Sequence, residues 1–110
     1  MASETRKVLG QLAPSATVLT DVYTVPISSQ TIISTLVINN RGGSSTTFRV
    51  SIAVNGAADS PKQYIYYDVT INANDTFAAT IGMTLGSGDV VRVFAGNANL
   101  SVTLFGVEIG

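Results

Sequence analysis

This chain contains no cysteine and no histidine, and its charged side chains are few. The first absence removes disulfides, thiolate metal sites and cysteine nucleophiles, and leaves the redox compartment open. The second removes the commonest general base near neutral pH and the commonest zinc ligand. It also removes any Ser-His-Asp or Cys-His pairing. Most hydrolase and metalloenzyme chemistries therefore have no residues to run on, and no cofactor is expected. Six Lys and Arg against seven Asp and Glu give a formal net charge of −1. That balance provides no basic footprint for DNA or RNA. The N-terminal segment has no apolar run of signal-peptide length, and nothing later approaches the roughly 18–20 apolar residues of a membrane span. Neither nucleic acid nor membrane is an expected partner.

What is present is apolar and small. Hydrophobic residues make up 45% of the 110 positions and charged residues 12%, about half the usual charged share. The length suits one domain with a modest core. Its surface must be built from Ser, Thr, Asn and Gly, with little charge to keep exposed apolar area soluble. Cover by neighbouring molecules is expected.

Alternation with a period of two runs through almost every segment. "TFRVSIAV" sets Phe48, Val50, Ile52 and Val54 on one face, the pattern of a half-buried strand. "YIYYDVTI" sets Ile65, Tyr67, Val69 and Ile71 inward and Tyr64, Tyr66, Asp68 and Thr70 outward. "DTFAATI", "DVVRVFA" and "NLSVTLFGVEI" continue it. Short turn signals separate the runs, including Gly42-Gly43, Asn55-Gly56, Asp59-Ser60-Pro61 and Gly86-Ser87-Gly88. The expected fold is all-β: a single-domain, jelly-roll-like antiparallel β-sandwich of about eight short strands. Residues 1–13 are expected to form an N-terminal arm and residues 14–110 the sandwich.

Two strands depart from clean alternation. "QTIISTLVIN" places Ile32, Leu36 and Ile38 on one face but Ile33 and Val37 on the other. In the last strand the apolar set passes from Leu100, Val102 and Leu104 to Phe105, Val107 and Ile109. A bulge near Gly106 would account for the switch, as would burial of both faces under the arm or another subunit. The low charge favours outside cover. Ile33, Val37, Phe105, Val107 and Ile109 are thus candidate interface residues, with Val8, Leu9 and Leu12 of the arm as candidate covering residues.

The loops carry little chemistry. "NNRGGSSTTFRV", residues 39–50, joins a glycine-containing loop to an arginine. A phosphate-cradling loop needs a following helix and a GK[ST] ending; here a strand follows. The loop reads as a bend in which Gly42 and Gly43 supply positive φ, with Arg41 turned toward a neighbouring chain. "LGSGDVVRV" reads the same way. "INANDT" gathers oxygen ligands but lacks EF-hand spacing, and reads as a polar turn. The seven carboxylates offer no pair that can be singled out for glycosidase chemistry. Tyr64 and Tyr66, side by side on an outer face, suit a protein interface or sugar stacking.

"VYTVP" at 22–26, "VINNRGGSSTTFRVSI" at 37–52, "KQYIYYDVTINANDTFA" at 62–78 and "DVVRVFAG" through "LFGVEI" resemble, in order and spacing, small single-domain virion proteins of tailed bacteriophages. The resemblance implies a non-enzymatic particle component located in the virion. The favoured role is a capsid decoration (cement) protein on the capsid surface, a homo-oligomer, preferably a trimer, bound to the major capsid protein or other virion proteins. A tail, baseplate or fibre component with affinity for host glycan is the alternative. A free carbohydrate-binding module is a further one, weakened by the absence of tryptophan.

Overall fold

A computed structural model describes residues 3–110. Nine strands form two antiparallel sheets. They are β1 (Glu4–Leu12), β2 (Thr20–Thr24), β3 (Gln30–Asn40), β4 (Thr46–Ala53), β5 (Tyr64–Ile71), β6 (Thr76–Ala79), β7 (Met83–Leu85), β8 (Val90–Ala95) and β9 (Leu100–Ile109). The five-stranded sheet runs β1-β9-β3-β6 with β7 also on β3, and the four-stranded sheet runs β2-β8-β4-β5. If β6 and β7 count as one interrupted edge strand, the chain pairs first with last, second with seventh, third with sixth and fourth with fifth. That nested pairing is the jelly roll. Residues 4–12, expected as an arm, run as β1 along β9 from Ile109 to Val102.

The two sheets face each other across one dry layer. Phe48, Val50, Val91, Val93 and Ala95 come from the four-stranded sheet, and Ile33, Leu36, Ile38, Leu100, Val102 and Leu104 from the other; each is 1% exposed or less. Phe48 lies between the Tyr66 and Phe77 rings, at centroid distances of 6.2 and 5.0 Å. Alternating strands bring these residues to one side by default.

Bulges decide the exceptions. The last strand, β9, is regular throughout; the extra residues sit in its two neighbours. Ser34 is inserted in β3 between Ile33 and Thr35, and Leu9 in β1 between Val8 and Gly10. The bulge at Ser34 reverses the expected faces of Ile32 and Ile33. Ile33 joins Leu36 and Ile38 in the core at 0% exposure, and Ile32 points outward at 38%. In β5 the register slips around Asp68, whose φ is +51°, and again near Ile65. Residues 65–67 of β5 are therefore opposite to expectation, whereas Tyr64, beyond the second slip, faces outward as expected. Tyr66 packs on the core, while Ile65 and Tyr67 are exposed. A one-residue slip moves each following side chain to the other face.

A polar tie between the sheets centres on Tyr23, besides the bond from Asn40 Nδ2 on β3 to the Ile71 carbonyl on β5. The Tyr23 hydroxyl, on β2, lies 2.7 Å from Thr31 Oγ1 on β3 and donates to Glu108 Oε2 on β9 at 2.6 Å. Lys7 Nζ, on β1, meets Glu108 Oε1 at 2.9 Å. Burial and then the Glu108 carboxylate push the Tyr23 phenol up to about 12. Hydrogen bonds from Tyr23 and then Lys7 hold Glu108 below its ordinary value of 4.5.

Two outcomes follow from this framework. A Cβ at Gly106 would collide with the Ile32 carbonyl oxygen, whereas one at Gly43 meets nothing within 4 Å. Gly106→Ala should cost about 3 kcal/mol in urea unfolding, and Gly43→Ala under about 0.5 kcal/mol. For the tie, a raised tyrosine pKa stabilises the fold fully below the ordinary value of 10 and is lost as pH rises through about 12. The lowered carboxylate contributes above 4.5 and is lost as pH falls through its folded value. An alkaline absorbance titration should show a step near pH 12 that is missing in Tyr23→Phe. Glu108→Gln should flatten the loss of stability on the acid side.

Candidate functional site

The outer face of the five-stranded sheet carries an apolar stripe. Regular β9 sends Phe105, Val107 and Ile109 outward because Leu104 and Glu108 point toward the other sheet. Their cross-strand neighbours extend the stripe: Val8 lies opposite Phe105, and Ile32 opposite Val107. Val8 is 47% exposed, Phe105 38% and Ile32 38%, while Val107 and Ile109 are half-buried. Val37, opposite Thr103, continues the stripe at the far end. A shallow cavity of about 500 Å³ opens beside it, lined by Arg6, Lys7, Ser34, Phe105, Gly106 and Val107. Its rim carries Arg6 and Lys7, the latter paired with the Glu108 carboxylate.

The outer face of the four-stranded sheet is built differently. Arg49 of β4 lies between two rings, 4.2 Å from the Tyr67 centroid and 4.5 Å from that of Phe94. Its Nε and Nη2 donate to the Asp68 carboxylate at 2.6 and 3.3 Å, which raises its pKa. Tyr64 meets Tyr67 edge to face at 5.1 Å. Burial, and then the Asp59 carboxylate, hold the Tyr64 hydroxyl above its ordinary range. Arg49, Asp59, Ser60, Pro61, Tyr64 and Tyr67 line a groove of about 460 Å³. Nearby, Arg92 is fully committed, donating to Asp21 at 2.9 Å and to the Ala57 carbonyl at 2.8 Å.

The sequence-predicted residues are thus distributed over several places. Phe105, Val107, Ile109, Val37 and Val8 share the outer stripe. Leu9 packs on the core edge as the bulge residue of β1, and Leu12 is half-buried opposite Val102. Ile33 and Tyr66 point inward, so neither is a surface residue. Arg41 is exposed, and its Nη2 donates to the Ala98 carbonyl at 3.2 Å. Its loop is shaped by buried Asn40, whose Nδ2 donates to the Ser44 and Asn72 carbonyls and whose Oδ1 accepts from Gly42 N–H. Gly42 and Gly43 do not adopt the positive φ expected of them. Gly42 is small for another reason: a Cβ there would press on the Asn99 side chain at 2.6 Å. The turn at 71–76 is closed by its own backbone and by Asp75 Oδ1 accepting from Thr76 N–H. Among the described residues no three carboxylates gather as a metal site.

Sequence reasoning missed Ile32, Arg49, Phe94 and Tyr67. The available signal was Asp68, a poor strand former inside an otherwise strand-like run and a residue that tolerates positive φ. It marks the slip that turns Tyr67 outward.

No protein-family profile and no curated protein matches this chain. Solved structures do share its fold. All of the chain superposes on 94% of a chain from the acidic stable capsid structure of Helicobacter pylori bacteriophage KHP30, with a TM-score of 0.54 and 15% identity. With a TM-score of 0.54 and 9% identity, 99% of it superposes on 37% of a chain from the structure of infectious bursal disease virus, Gx strain. At these identities the likeness is one of fold: the β-sandwich described above recurs in chains from two virus structures.

Proposed function

We propose that this protein is a non-enzymatic structural component of a bacteriophage virion, a decoration protein that binds the outside of the major capsid lattice and braces the head. The observation that carries the reading is the two-way, near full-length likeness to a chain of a phage capsid structure. The partner is of nearly the same size, so the whole domain is matched rather than a fragment of it. The outer stripe supplies the means of attachment. Val8, Ile32, Phe105 and Val107 form an unpaired apolar face that one sandwich has no inner layer left to hide.

Magnitudes favour several copies acting together. Covering about 300 Å² of apolar surface yields roughly 7 kcal/mol. The loss of translational and rotational freedom on association costs about 4–15 kcal/mol. One such face binds weakly, and joined copies gain through effective concentration. That is the argument for a homo-oligomer, with a trimer matched to threefold lattice positions. Attachment through a sheet face also fits the edges. All four edge strands are interrupted: β1 by Leu9, β2 by an extra residue at Val22, β5 at Asp68, and β6 from β7 by a gap around Gly82. Interrupted edges resist strand-to-strand pairing.

Because β1 is a sheet strand, deleting it would disturb β9 as well as any contact it makes. Point changes on the stripe test the proposal more cleanly. Phe105→Ser with Val107→Ser should leave the urea midpoint close to that of the parent and weaken co-sedimentation with capsids at least tenfold. Light scattering on the parent should report three times the 11.4 kDa chain mass. A monomer that ignores capsids would overturn the decoration role.

A further inference from the structure

The groove between Arg49 and Pro61 has a chemistry that the attachment role does not use. Its volume, about 460 Å³, lies in the usual range for a small-ligand site. Tyr67 stands at its wall with 59% of its surface exposed. Arg49 holds that ring from one side at 4.2 Å and is itself clamped by Asp68. Two of the guanidinium's nitrogens are spent on Asp68, and the Nη1 hydrogens remain available as donors. Asp59 supplies acceptors beside the Tyr64 hydroxyl, Ser60 a further hydroxyl, and Pro61 an apolar ring edge.

From this juxtaposition we infer that the groove is a binding site for a neutral saccharide. A sugar ring offers C–H bonds on one face, to lie against an aromatic wall, and hydroxyls at its edge that both donate and accept. Arg49 Nη1 meets an accepting hydroxyl, and Asp59 meets a donating one. Charge selects against anionic ligands. The Arg49 and Asp68 charges cancel, leaving Asp59 as the net charge of the lining, so phosphates, sulfates and acidic sugars are repelled. The groove and the apolar stripe lie on opposite outer faces of the sandwich. If the stripe faces the shell, as proposed above, the groove faces away from it toward whatever surface the particle meets. This placement rests on the decoration reading; the chemistry of the groove does not.

The test uses the free full-length protein and is independent of capsid attachment. Saturation-transfer NMR against lactose, maltotriose and tri-N-acetylchitotriose should show transfer to at least one of these neutral probes. Tyrosine fluorescence can follow the titration, since the chain has four tyrosines and no tryptophan. Tyr67→Ala should weaken binding about tenfold, Asp59→Asn should weaken it too, and Tyr67→Phe should largely retain it. Phe105→Ser should leave saccharide binding unchanged even where it abolishes capsid attachment. Absence of transfer to all three probes, or transfer that Tyr67→Ala does not reduce, would overturn the inference. So would a Tyr67→Ala variant that binds no sugar differently but detaches from particles, which would make the groove a protein contact.

Discussion

A two-sheet sandwich has one dry layer, and everything else in this protein follows from how its apolar residues are divided between that layer and the outside. The central strand β9 has more apolar residues than one face can use. Its inner set, Leu100, Val102 and Leu104, fills the core opposite Val50, Val91 and Val93. Its outer set, Phe105, Val107 and Ile109, has no layer to enter. Bulges at Leu9 and Ser34 in the flanking strands let both sets keep their places while β1 and β3 rejoin the register on each side. Without the extra residue at Ser34, Ile33 would turn outward and leave a large void in the core. The outer stripe is thus the consequence of a regular strand between two irregular ones.

The same device recurs at the edges and ties fold to function. Interruptions in β1, β2, β5 and between β6 and β7 leave no long, flat edge for another chain to extend. Contacts with other molecules are left to the faces, and the faces differ in kind. One is apolar, with Arg6 and the Lys7–Glu108 pair at its rim. The other is aromatic and polar, organised by the Arg49 stack and its carboxylate partner. Between them, the Tyr23–Glu108 tie fixes one sheet to the other across the core, so the two faces are held as opposite sides of one rigid slab.

How much of this could be read beforehand depended on whether period two was interrupted. In β9 the faces were legible, with Phe105, Val107 and Ile109 together on one side. In β4 Phe48 and Val50 point inward as expected. Ser51 and Ala53 are buried too, and Val54, expected inward, lies past the strand end with 64% of its surface exposed. Eight alternating strands with short turns point to a sandwich, but alternation carries no record of which strand pairs with which, so the nested order came only with the structure. Bulges were not legible, because inserting one residue changes no composition and only shifts phase. That is why Ile33 and Tyr66 were assigned outward and Ile32 and Tyr67 inward. The stripe was visible in its β9 half and hidden in its β3 half. Of the Arg49 groove only Tyr64 was legible as an outward ring; the rest was hidden, since it depends on the slip at Asp68 that turns Tyr67 over.

The central claim is that the β9 outer stripe is the surface by which this protein meets a viral shell. Hydroxyl-radical footprinting of the protein, free and bound to particles, reads that surface directly through its aromatic side chains. Phe105 should be modified in the free protein and protected on particles, while Tyr67, on the opposite face, should stay reactive in both. Equal modification of Phe105 in the two states, or protection of Tyr67 in its place, would contradict the account.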